Sequence, residues 1–594
     1  MEIYKTAKPA TRWWWFAGEI KLEDIAFQLD WLKENGFGGV EIAWVYPLPD
    51  STTAPKWLSK EWSDAVAFAK KYANKIGLFC DFTFGSLWPF GGSIVNESMA
   101  SRDFSGLSSQ RLRKSWEGGE HFVLNHLSKE ALEKYSQKMT EAMKEALEGE
   151  KSGLFCDSWE VKPEGLWSDG LDERFEKEFG YDISQFKDSL DDNPGMLYDY
   201  RKFISRIINE QFYKPFTDMA HGNNGFTRIQ AHGSPTNLID SYACADVPES
   251  ESVLFDPHFS QFAASSAALS EKNIVSSETF TCLYGWKGYP GPGQHQLEED
   301  VEDLRMLVDA LFANGVNMIF WHGYPYNPQN GKNRFYASVH VGQEGSLAPH
   351  LKPFNAYMEK VSDLMRQGTS YFDCACYLPM EDNWMSGEVD QSQKRPSAQY
   401  HWELHYQKFP KELDGFRPCW VSGEFLKKAT VNDSKLAIGN QYFNFLYVDC
   451  EYLDYESLVE ILRLAKDGAK IILPFEPEEP GFIQHQSYDK LYSELTKLPN
   501  VSQKLDSAPL IQSDKKLEFW ARKTCDGLLI FIAHPSSVDI SYPMEYKQSG
   551  KAAAIKIVAQ IFVNDATINV DLNFGKNRPI VLKIAQNKVE VLEC

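Results

Sequence analysis

The residues best suited to chemistry in this sequence are two glutamates that each come at or near the end of a short apolar run. Glu160 ends the segment Gly153-Leu-Phe-Cys-Asp-Ser-Trp-Glu160, and Glu278 lies within Ile274-Val-Ser-Ser-Glu-Thr-Phe-Thr281. Such runs are typical of buried parallel strands, and in a (β/α)8 barrel the carboxyl ends of the strands line the face that carries the catalytic groups. Two carboxyl groups across that face can hydrolyse a glycosidic bond. We therefore predict Glu160 and Glu278 as a catalytic pair.

Two further glutamates lie close together in the segment Asp246-Val-Pro-Glu-Ser-Glu251. The spacing does not choose between them, so we take Glu249 as a third catalytic candidate and Glu251 as a substrate-binding one. Carboxyl groups divide the work when their surroundings separate their pKa values, and a neighbouring ring such as Trp159 can raise a glutamate pKa by desolvation. The sequence does not say which glutamate is the acid.

Histidine, aspartate and tryptophan side chains at the same predicted strand ends are candidates for holding a sugar. His232 and His322 each precede a glycine, which is typical of loops where an imidazole can bind substrate hydroxyl groups. Asp157 is expected to be a hydrogen-bond partner beside them. Because strand residues alternate between faces, at most two rings of 13–15 can point one way, and we expect Trp14 to line the site. The other candidate rings are Trp88, Trp159 and Trp286.

Metal binding is not predicted from the residues alone. Asp157 and Glu160, with Glu249 and Glu251, offer the oxygen ligands that calcium uses, but no EF-hand loop is present. The 10 cysteines include no C-x-x-C pair and no Cys/His cluster with zinc spacing, so we expect them to be reduced.

Strand-like and helix-like segments alternate up to about residue 325, which predicts parallel strands with helices between them. No Gly-x-Gly-x-x-Gly loop supports an open dinucleotide-binding sheet. The strand count is eight, as in a closed (β/α)8 barrel. The predicted strands are Arg12–Ala17, Phe37–Ala43, Ile76–Thr83, Gly153–Trp159, Phe226–His232, Ala245–Pro248, the run from Ile274, and Val316–His322. The main predicted helices are Lys21–Asn35, Glu61–Asn74, Ser128–Leu147, Leu197–Ala220 and Leu297–Ala313.

Two further domains are predicted after the barrel. The barrel is expected to span 1–335, followed by a smaller α/β domain over 336–505 that contains an apolar strand near Ala469–Leu473. From about Lys515 onward the pattern is rich in strands and poor in helices, which predicts a β-sandwich over 506–594. The fold class is therefore α/β, with a TIM-type barrel, a second α/β domain and a terminal β-sandwich.

Composition narrows the classes of partner. The chain has 594 residues and a net charge of −22, which disfavours nucleic acid and anionic membranes because phosphate neutralisation requires clusters of Lys and Arg. No apolar run reaches the ~18 residues that a membrane span requires. The first residues show no apolar signal-peptide core, so we expect a cytoplasmic protein, or a periplasmic or secreted one if a leader was removed. An aromatic fraction of 14% suits a glycoside or oligosaccharide substrate, and the oligomeric state is not predicted.

A set of short motifs, in order, resembles glycoside hydrolase family 106, whose known members are α-L-rhamnosidases. The motifs are Arg12-Trp-Trp-Trp-Phe-Ala-Gly18, Gly36-Phe-Gly-Gly-Val-Glu-Ile42, Trp88-Pro-Phe-Gly-Gly92, Asp246-Val-Pro-Glu-Ser-Glu251, Ser277-Glu-Thr-Phe280 and Trp321-His-Gly323. The resemblance implies an exo-acting, inverting enzyme with a glutamate pair at the barrel mouth and a calcium ion near the substrate. Carried over, the glutamate positions are Glu160, Glu249 or Glu251, and Glu278.

Two alternatives stay open. The domain order is also similar to family 42 β-galactosidases, which combine a barrel, an amidotransferase-like α/β domain and a β-domain, and which retain configuration. In that family the acid follows strand four and the nucleophile follows strand seven, and Glu160 and Glu278 hold the equivalent positions in this chain. The carboxyl separation distinguishes the outcomes, since retention requires ~5–5.5 Å and inversion ~6.5–9.5 Å. The other alternative is a non-catalytic carbohydrate-binding protein built on the same barrel.

Overall fold

The structure is a computed structural model. It describes residues 3–48, 54–113, 115–162, 165–187, 189–252, 256–285, 295–329, 331–335, 337–386, 408–540, 543–563 and 566–592. Trp286, one of the predicted sugar-binding rings, lies outside the described residues.

Eight parallel strands close into a barrel, which confirms the predicted barrel and its strand count. Each strand pairs with the next along the chain, and the last pairs with the first to complete the ring. The strands are β1 Ala10–Ala17, β2 Gly39–Pro47, β3 Phe79–Thr83, β4 Ser152–Cys156, β5 Gly225–Ile229, β6 Val247–Glu251, β7 Ser276–Thr279 and β8 Met318–Pro325.

Helices cover the outside of the barrel, and their ends follow ordinary capping chemistry. The second helix begins after Ser59, whose hydroxyl accepts the Trp62 N–H, and ends at Gly77 with φ 86°, a conformation that glycine adopts without strain. The helices are α1 Leu22–Glu34, α2 Lys60–Ile76, α3 Lys129–Ala142, α4 Leu171–Phe179, α5 Pro194–Ile208, α6 Lys214–Gly222, α7 Leu238–Cys244, α8 Ser260–Leu269, α9 Val301–Ala313 and α10 Leu351–Arg366. A π-helical turn, Asn209–Tyr213, joins α5 to α6, where Pro215 lacks the N–H that a regular α-helix requires.

Two barrel strands differ from their predicted bounds in ways that move site residues. β4 stops at Cys156, since the Asp157 carboxylate accepts the Ser158 N–H and diverts the chain into a loop, so Glu160 lies in that loop. β6 runs to Glu251 instead of stopping at Pro248, so Glu249 and Glu251 lie in the strand itself. The proline suggested an early strand end because it cannot donate a hydrogen bond to the sheet.

A second parallel sheet follows the barrel, in the order β10-β9-β11-β12-β13. Its strands are β9 Cys374–Tyr377, β10 Pro418–Val421, β11 Leu446–Tyr447, β12 Ile471–Ile472 and β13 Val501–Ser502. Its helices are α11 Met380–Met385, α12 Gly423–Leu426, α13 Tyr455–Lys466 and α14 Tyr488–Leu495. A three-stranded antiparallel sheet that the sequence pattern did not predict is made by Thr430–Asn432, Lys435–Ile438 and Gln441–Phe443.

Two antiparallel sheets near the C-terminus share one apolar core. One contains Thr369–Ser370, Phe519–Thr524, Gly527–Ile532, Ile580–Ala585 and Lys588–Leu592, and the other contains Ile511–Ser513, Ile555–Val563 and Ala566–Phe574. Short strands also occur in barrel loops at Arg102–Asp103, Gly106–Leu107, Arg111–Leu112, His121–Phe122 and Leu166–Trp167. Among the described residues, no helix has the length and apolar character needed to span a bilayer.

Candidate active site

A network of charged side chains fills the barrel interior below the mouth. Arg228 on β5 is fully buried and pairs with both Glu41 and Glu249, whose Oε2 lies 2.5 Å from Nη1 of the arginine. Glu249 also accepts hydrogen bonds from Gln230 at 3.0 Å and Ser276 at 2.7 Å. Every oxygen of Glu249 is thus engaged, and the residue is 0% exposed. The structure therefore places Glu249 beneath the mouth, where its carboxylate contacts other side chains and not solvent.

Arg12 on β1 connects this interior network to the mouth. Its Nε donates to Glu41 at 3.1 Å, and its Nη1 lies 3.2 Å from Asp157 and 3.1 Å from Glu278. A guanidinium can serve several carboxylates at once because its five N–H groups have fixed directions. Arg12 therefore holds two carboxylates together, one from the loop after β4 and one from β7.

Glu278, near the end of β7, is surrounded by donors. Gln230 donates to its Oε2 at 2.8 Å, Thr281 donates to its Oε1 at 2.6 Å, and His322 Nε2 lies 3.3 Å from Oε1. Burial alone would raise the pKa of Glu278, but Arg12 and these hydrogen-bond donors outweigh burial and lower the pKa to about 2. Glu278 is therefore ionised at neutral pH, and it keeps 5% of its surface exposed.

Glu160, in the loop after β4, has the opposite electrostatic environment. Burial and the nearby Asp157 raise the pKa of Glu160 to about 8, although a hydrogen bond from Trp88 opposes the shift. Gln110 fixes the loop by donating to the Glu160 carbonyl at 2.6 Å. The side chain is half-buried. At neutral pH this carboxyl group carries its proton.

Glu251 and His232 form a second pair at the mouth, with 2.9 Å between Oε2 and Nε2. Burial and the charges of Glu278 and Asp157 raise the pKa of Glu251 well above its usual range, and burial lowers the pKa of His232 to about 4. The pair is therefore neutral overall near pH 7. In the same cluster burial raises the pKa of Asp157 to about 7, although Arg12 opposes the shift.

The predicted rings differ in how they can meet a ligand. Trp88 is half-buried and touches Glu160 through the hydrogen bond above, so it lies at the mouth. Trp14 is fully buried and stacks on Phe335 with 3.9 Å between ring centroids. Trp159 is 5% exposed and donates its indole N–H to the Val161 carbonyl. Trp14 and Trp159 therefore pack behind the site, and of the three predicted rings that the structure describes only Trp88 has appreciable exposed surface.

Several residues of this cluster were not singled out by sequence reasoning. Arg12, Gln230 and Thr281 contact Glu278 directly, and Glu41 holds Arg12, but none of the four is a carboxyl group predicted at a strand end. A detectable signal existed for Arg12, since an arginine within the apolar run Arg12–Ala17 must find buried partners.

Gly233 fixes the approach of the loops after β4 and β5. Its φ is 80°, and a Cβ at this position would lie 2.6 Å from the Trp159 carbonyl oxygen. The Trp159 N–H donates to the His232 carbonyl at 2.9 Å across the same junction. The two loops that carry Glu160 and His232 can therefore meet only because residue 233 has no side chain.

Gly233→Ala is expected to lower kcat/KM at least about tenfold and to destabilise the protein by about 1–3 kcal/mol, because the backbone must shift to relieve the contact. Thermal melting and steady-state kinetics measure both effects. The matched control is Gly222→Ala, since Gly222 ends α6 and a Cβ there meets no atom within 4 Å. If the two variants had the same kcat/KM and the same melting temperature, residue 233 would not control how the two loops meet.

The calcium ion that the family resemblance implies finds no ready-made site. In the part of the chain that the structure describes, no group of three or more His, Cys, Asp and Glu side chains is arranged to hold a metal ion. Asp157 already engages Arg12 through one carboxylate oxygen and the Ser158 N–H through the other. As placed, these side chains do not fit calcium, and we assign no step to a metal.

Comparison with known proteins identifies a matching family and solved structures with a similar fold. The model of glycoside hydrolase family 106, described as alpha-L-rhamnosidase, matches residues 117–504. A rhamnosidase from Novosphingobium sp. PP1Y has a similar structure, with a TM-score of 0.73 and 14% identity over 97% of this chain and 82% of that chain. A beta-galactosidase from Bacillus circulans sp. alkalophilus gives a TM-score of 0.57 at 11% identity, covering 97% of this chain and 99% of that one. At these identities the two structures show a shared fold.

One curated relative matches part of the chain. It is a protein of Formosa agariphila named "Putative beta-glucuronidase", 22% identical over 397 residues. The match covers 64% of this chain but spans only 30% of the length of that relative.

Proposed function

Because the chain belongs to glycoside hydrolase family 106, the alpha-L-rhamnosidase family, we propose that it is an exo-acting α-L-rhamnosidase that removes terminal rhamnose from an oligosaccharide with inversion. The observation that carries the assignment of roles is the separation of two pKa values at one barrel mouth. Glu160 has its pKa raised to about 8, and Glu278 has its pKa lowered to about 2. A protonated and an ionised carboxyl group that share one site are what acid–base hydrolysis of a glycoside requires.

In the proposed reaction Glu160 donates its proton to the glycosidic oxygen as the bond to the anomeric carbon breaks. Glu278 removes a proton from a water molecule, which attacks the anomeric carbon from the opposite face. The sugar leaves as free rhamnose and the aglycone as an alcohol. Glu160 is then ionised and Glu278 protonated, and exchange with solvent restores both.

The surrounding residues position these two groups. Arg12, Gln230 and Thr281 keep Glu278 ionised and fix its orientation. Glu249 holds Gln230 in turn, so we assign it a positioning role and no contact with substrate. We propose that the Glu251–His232 pair, His322, Asp157 and Trp88 bind the sugar, since neutral imidazoles can accept and donate to hydroxyl groups.

The charge of the mouth bears on which sugar it accepts. Among the described residues at the mouth, the guanidinium of Arg12 is already engaged by Asp157 and Glu278. The carboxylate of a glucuronide would find no free cation beside these two groups and would be repelled by the charge of Glu278. An uncharged deoxy-sugar such as rhamnose avoids that cost.

A panel of p-nitrophenyl glycosides tests the proposal. We expect release of p-nitrophenol from the α-L-rhamnoside at least about 100-fold faster, in kcat/KM, than from the β-D-galactoside or the β-D-glucuronide. If the β-D-galactoside were hydrolysed fastest of the three, the family 42 alternative would be favoured instead. A binding protein would release nothing, and rhamnose would only raise its melting temperature.

The pH dependence of kcat/KM follows from the same two groups. Glu160 must be protonated to act, so activity is expected to fall as pH rises through about 8. Glu278 must be ionised, so its own contribution is lost only as pH falls towards about 2. Initial rates on p-nitrophenyl α-L-rhamnoside between pH 4 and about 10 measure the basic limb. A rate that keeps rising above pH 9 would contradict Glu160 as the acid.

A further inference from the structure

The second parallel sheet has a topology that creates a crevice at one edge. From β9 the chain passes to β10 on one side, and the next strand, β11, lies on the other side of β9. The direction of winding therefore changes between β9 and β11. In open parallel sheets, ligands bind outside the carboxyl ends of the strands at such a switch point.

A cleft of about 500 Å³ lies at this point. Tyr377 ends β9, Asp449 and Glu451 follow β11, and Phe475 and Glu476 follow β12, and all of them line the cleft. Its volume is in the range of small-molecule sites, about 300–1,000 Å³. None of the lining residues belongs to the barrel, so the cleft is a separate site, which we call the switch-point cleft.

The charge of the switch-point cleft excludes one class of ligand. Asp449, Glu451 and Glu476 form no ion pair with any residue that the structure describes. Among the described lining residues Lys408 is the one basic side chain, and it pairs with Asp256 at 3.4 Å. Uncompensated carboxylates repel phosphates, nucleotides and uronates.

A buried hydrogen-bond donor distinguishes between the remaining classes of ligand. Trp420 lines the cleft and is 1% exposed, and its indole N–H has no hydrogen-bond partner in the described part of the chain. Phe409 and Phe262 cover its two faces, with centroids at 4.1 Å and 5.9 Å, so only its edge remains for a ligand. A buried N–H without an acceptor is costly, and a ligand that only donates, such as an ammonium ion, cannot satisfy it.

The lining thus offers carboxylate acceptors, an indole donor and one exposed aromatic ring. A hydroxyl group both donates and accepts, and the ring of Phe475 can stack on the CH face of a pyranose. Phe475 is 64% exposed at the rim, so its ring is open to a ligand in the cleft. We propose that the switch-point cleft is a second carbohydrate site that binds a neutral saccharide. This inference does not rest on the proposed rhamnosidase activity.

No nucleophilic chemistry is assigned to the cleft, although two cysteines line it. Burial raises the pKa of both Cys376 and Cys450 well above the usual range, so neither is a thiolate at neutral pH. The Asp382 carboxylate accepts the backbone N–H groups of Glu451 and Tyr452 and fixes the loop after β11. We therefore assign binding to the cleft and no covalent step.

Calorimetric titration of the full-length Glu278→Gln protein tests the proposal. The probes are L-rhamnose, D-galactose, D-glucose and cellobiose, with spermidine as a cationic probe and D-glucuronate as an anionic one. We expect at least one neutral saccharide to bind in an equivalent whose dissociation constant Phe475→Ala raises about tenfold. Trp420→Phe, which removes the donor and keeps the ring, should weaken the same equivalent.

Phe482→Ala is the matched control, because Phe482 is also exposed, at 43%, but does not line the cleft. It should leave the equivalent unchanged, and Phe475→Ala in the otherwise native enzyme should leave kcat unchanged. If no neutral saccharide shows a Phe475-dependent equivalent, or if only spermidine or glucuronate does, the proposal is overturned. If the unaltered enzyme hydrolysed none of the glycosides but a neutral saccharide still bound in a way that depends on Phe475, the proposed function would be overturned and the second site would stand.

Discussion

Glu278→Gln is expected to lower kcat on p-nitrophenyl α-L-rhamnoside by about 1,000-fold or more, because an amide cannot take the proton of the attacking water. The loss should be the same for a good and a poor leaving group, since attack of water is impaired in both. Folding should be preserved: Arg12 keeps its contacts with Glu41 and Asp157 when the charge of Glu278 is removed. Steady-state kinetics and thermal melting measure the two effects.

The matched control is Glu590→Gln, an exposed glutamate on the strand Lys588–Leu592, outside the barrel and the switch-point cleft. It should retain full turnover on the same substrate. If Glu278→Gln kept near-normal turnover, Glu278 would not be the base, and the account of the mouth would fail with it.

Glu160→Gln should have an effect that depends on the leaving group. On a rhamnosyl disaccharide, whose alcohol must be protonated to leave, kcat is expected to fall about 1,000-fold. On 2,4-dinitrophenyl α-L-rhamnoside, whose leaving group requires no proton, the fall should be below about tenfold. The basic limb near pH 8 that the unaltered enzyme shows on p-nitrophenyl α-L-rhamnoside should be absent from this variant, because the group that carries the raised pKa is gone.

Glu251→Gln tests the competing assignment of Glu251 as the general acid, since the pKa of Glu251 is raised as well. If Glu251→Gln showed the dependence on leaving group and Glu160→Gln did not, the acid would be Glu251. A uniform loss for Glu160→Gln on both substrates would mean that Glu160 positions the sugar and transfers no proton in the rate-limiting step.

The barrel could be predicted because its signal is local. Alternating apolar strands and amphipathic helices determine the strand count without any knowledge of distant contacts. The same local signals began a predicted helix at Ser128, and in the structure the Ser128 hydroxyl caps that helix by accepting the Ala131 N–H. The three-stranded sheet at Thr430–Phe443 was missed because its strands are three or four residues long, too short for a periodic pattern.

The electrostatics of the site could not be predicted, because they depend on residues far apart in the sequence. Glu278 is ionised owing to Arg12, which lies more than 260 positions earlier and is brought to it by closure of the barrel. Glu249 and Glu251 differ by two positions and point to the same side of β6, but one meets Arg228 below and the other meets His232 at the mouth. Only the depth of each residue in the barrel separates their roles.

The most direct test of the account is the configuration of the sugar first released from p-nitrophenyl α-L-rhamnoside, followed by ¹H NMR before mutarotation. A protonated Glu160 and an ionised Glu278 that activates water predict β-L-rhamnose as the initial product. Initial release of α-L-rhamnose, or no release of rhamnose at all, would contradict the account.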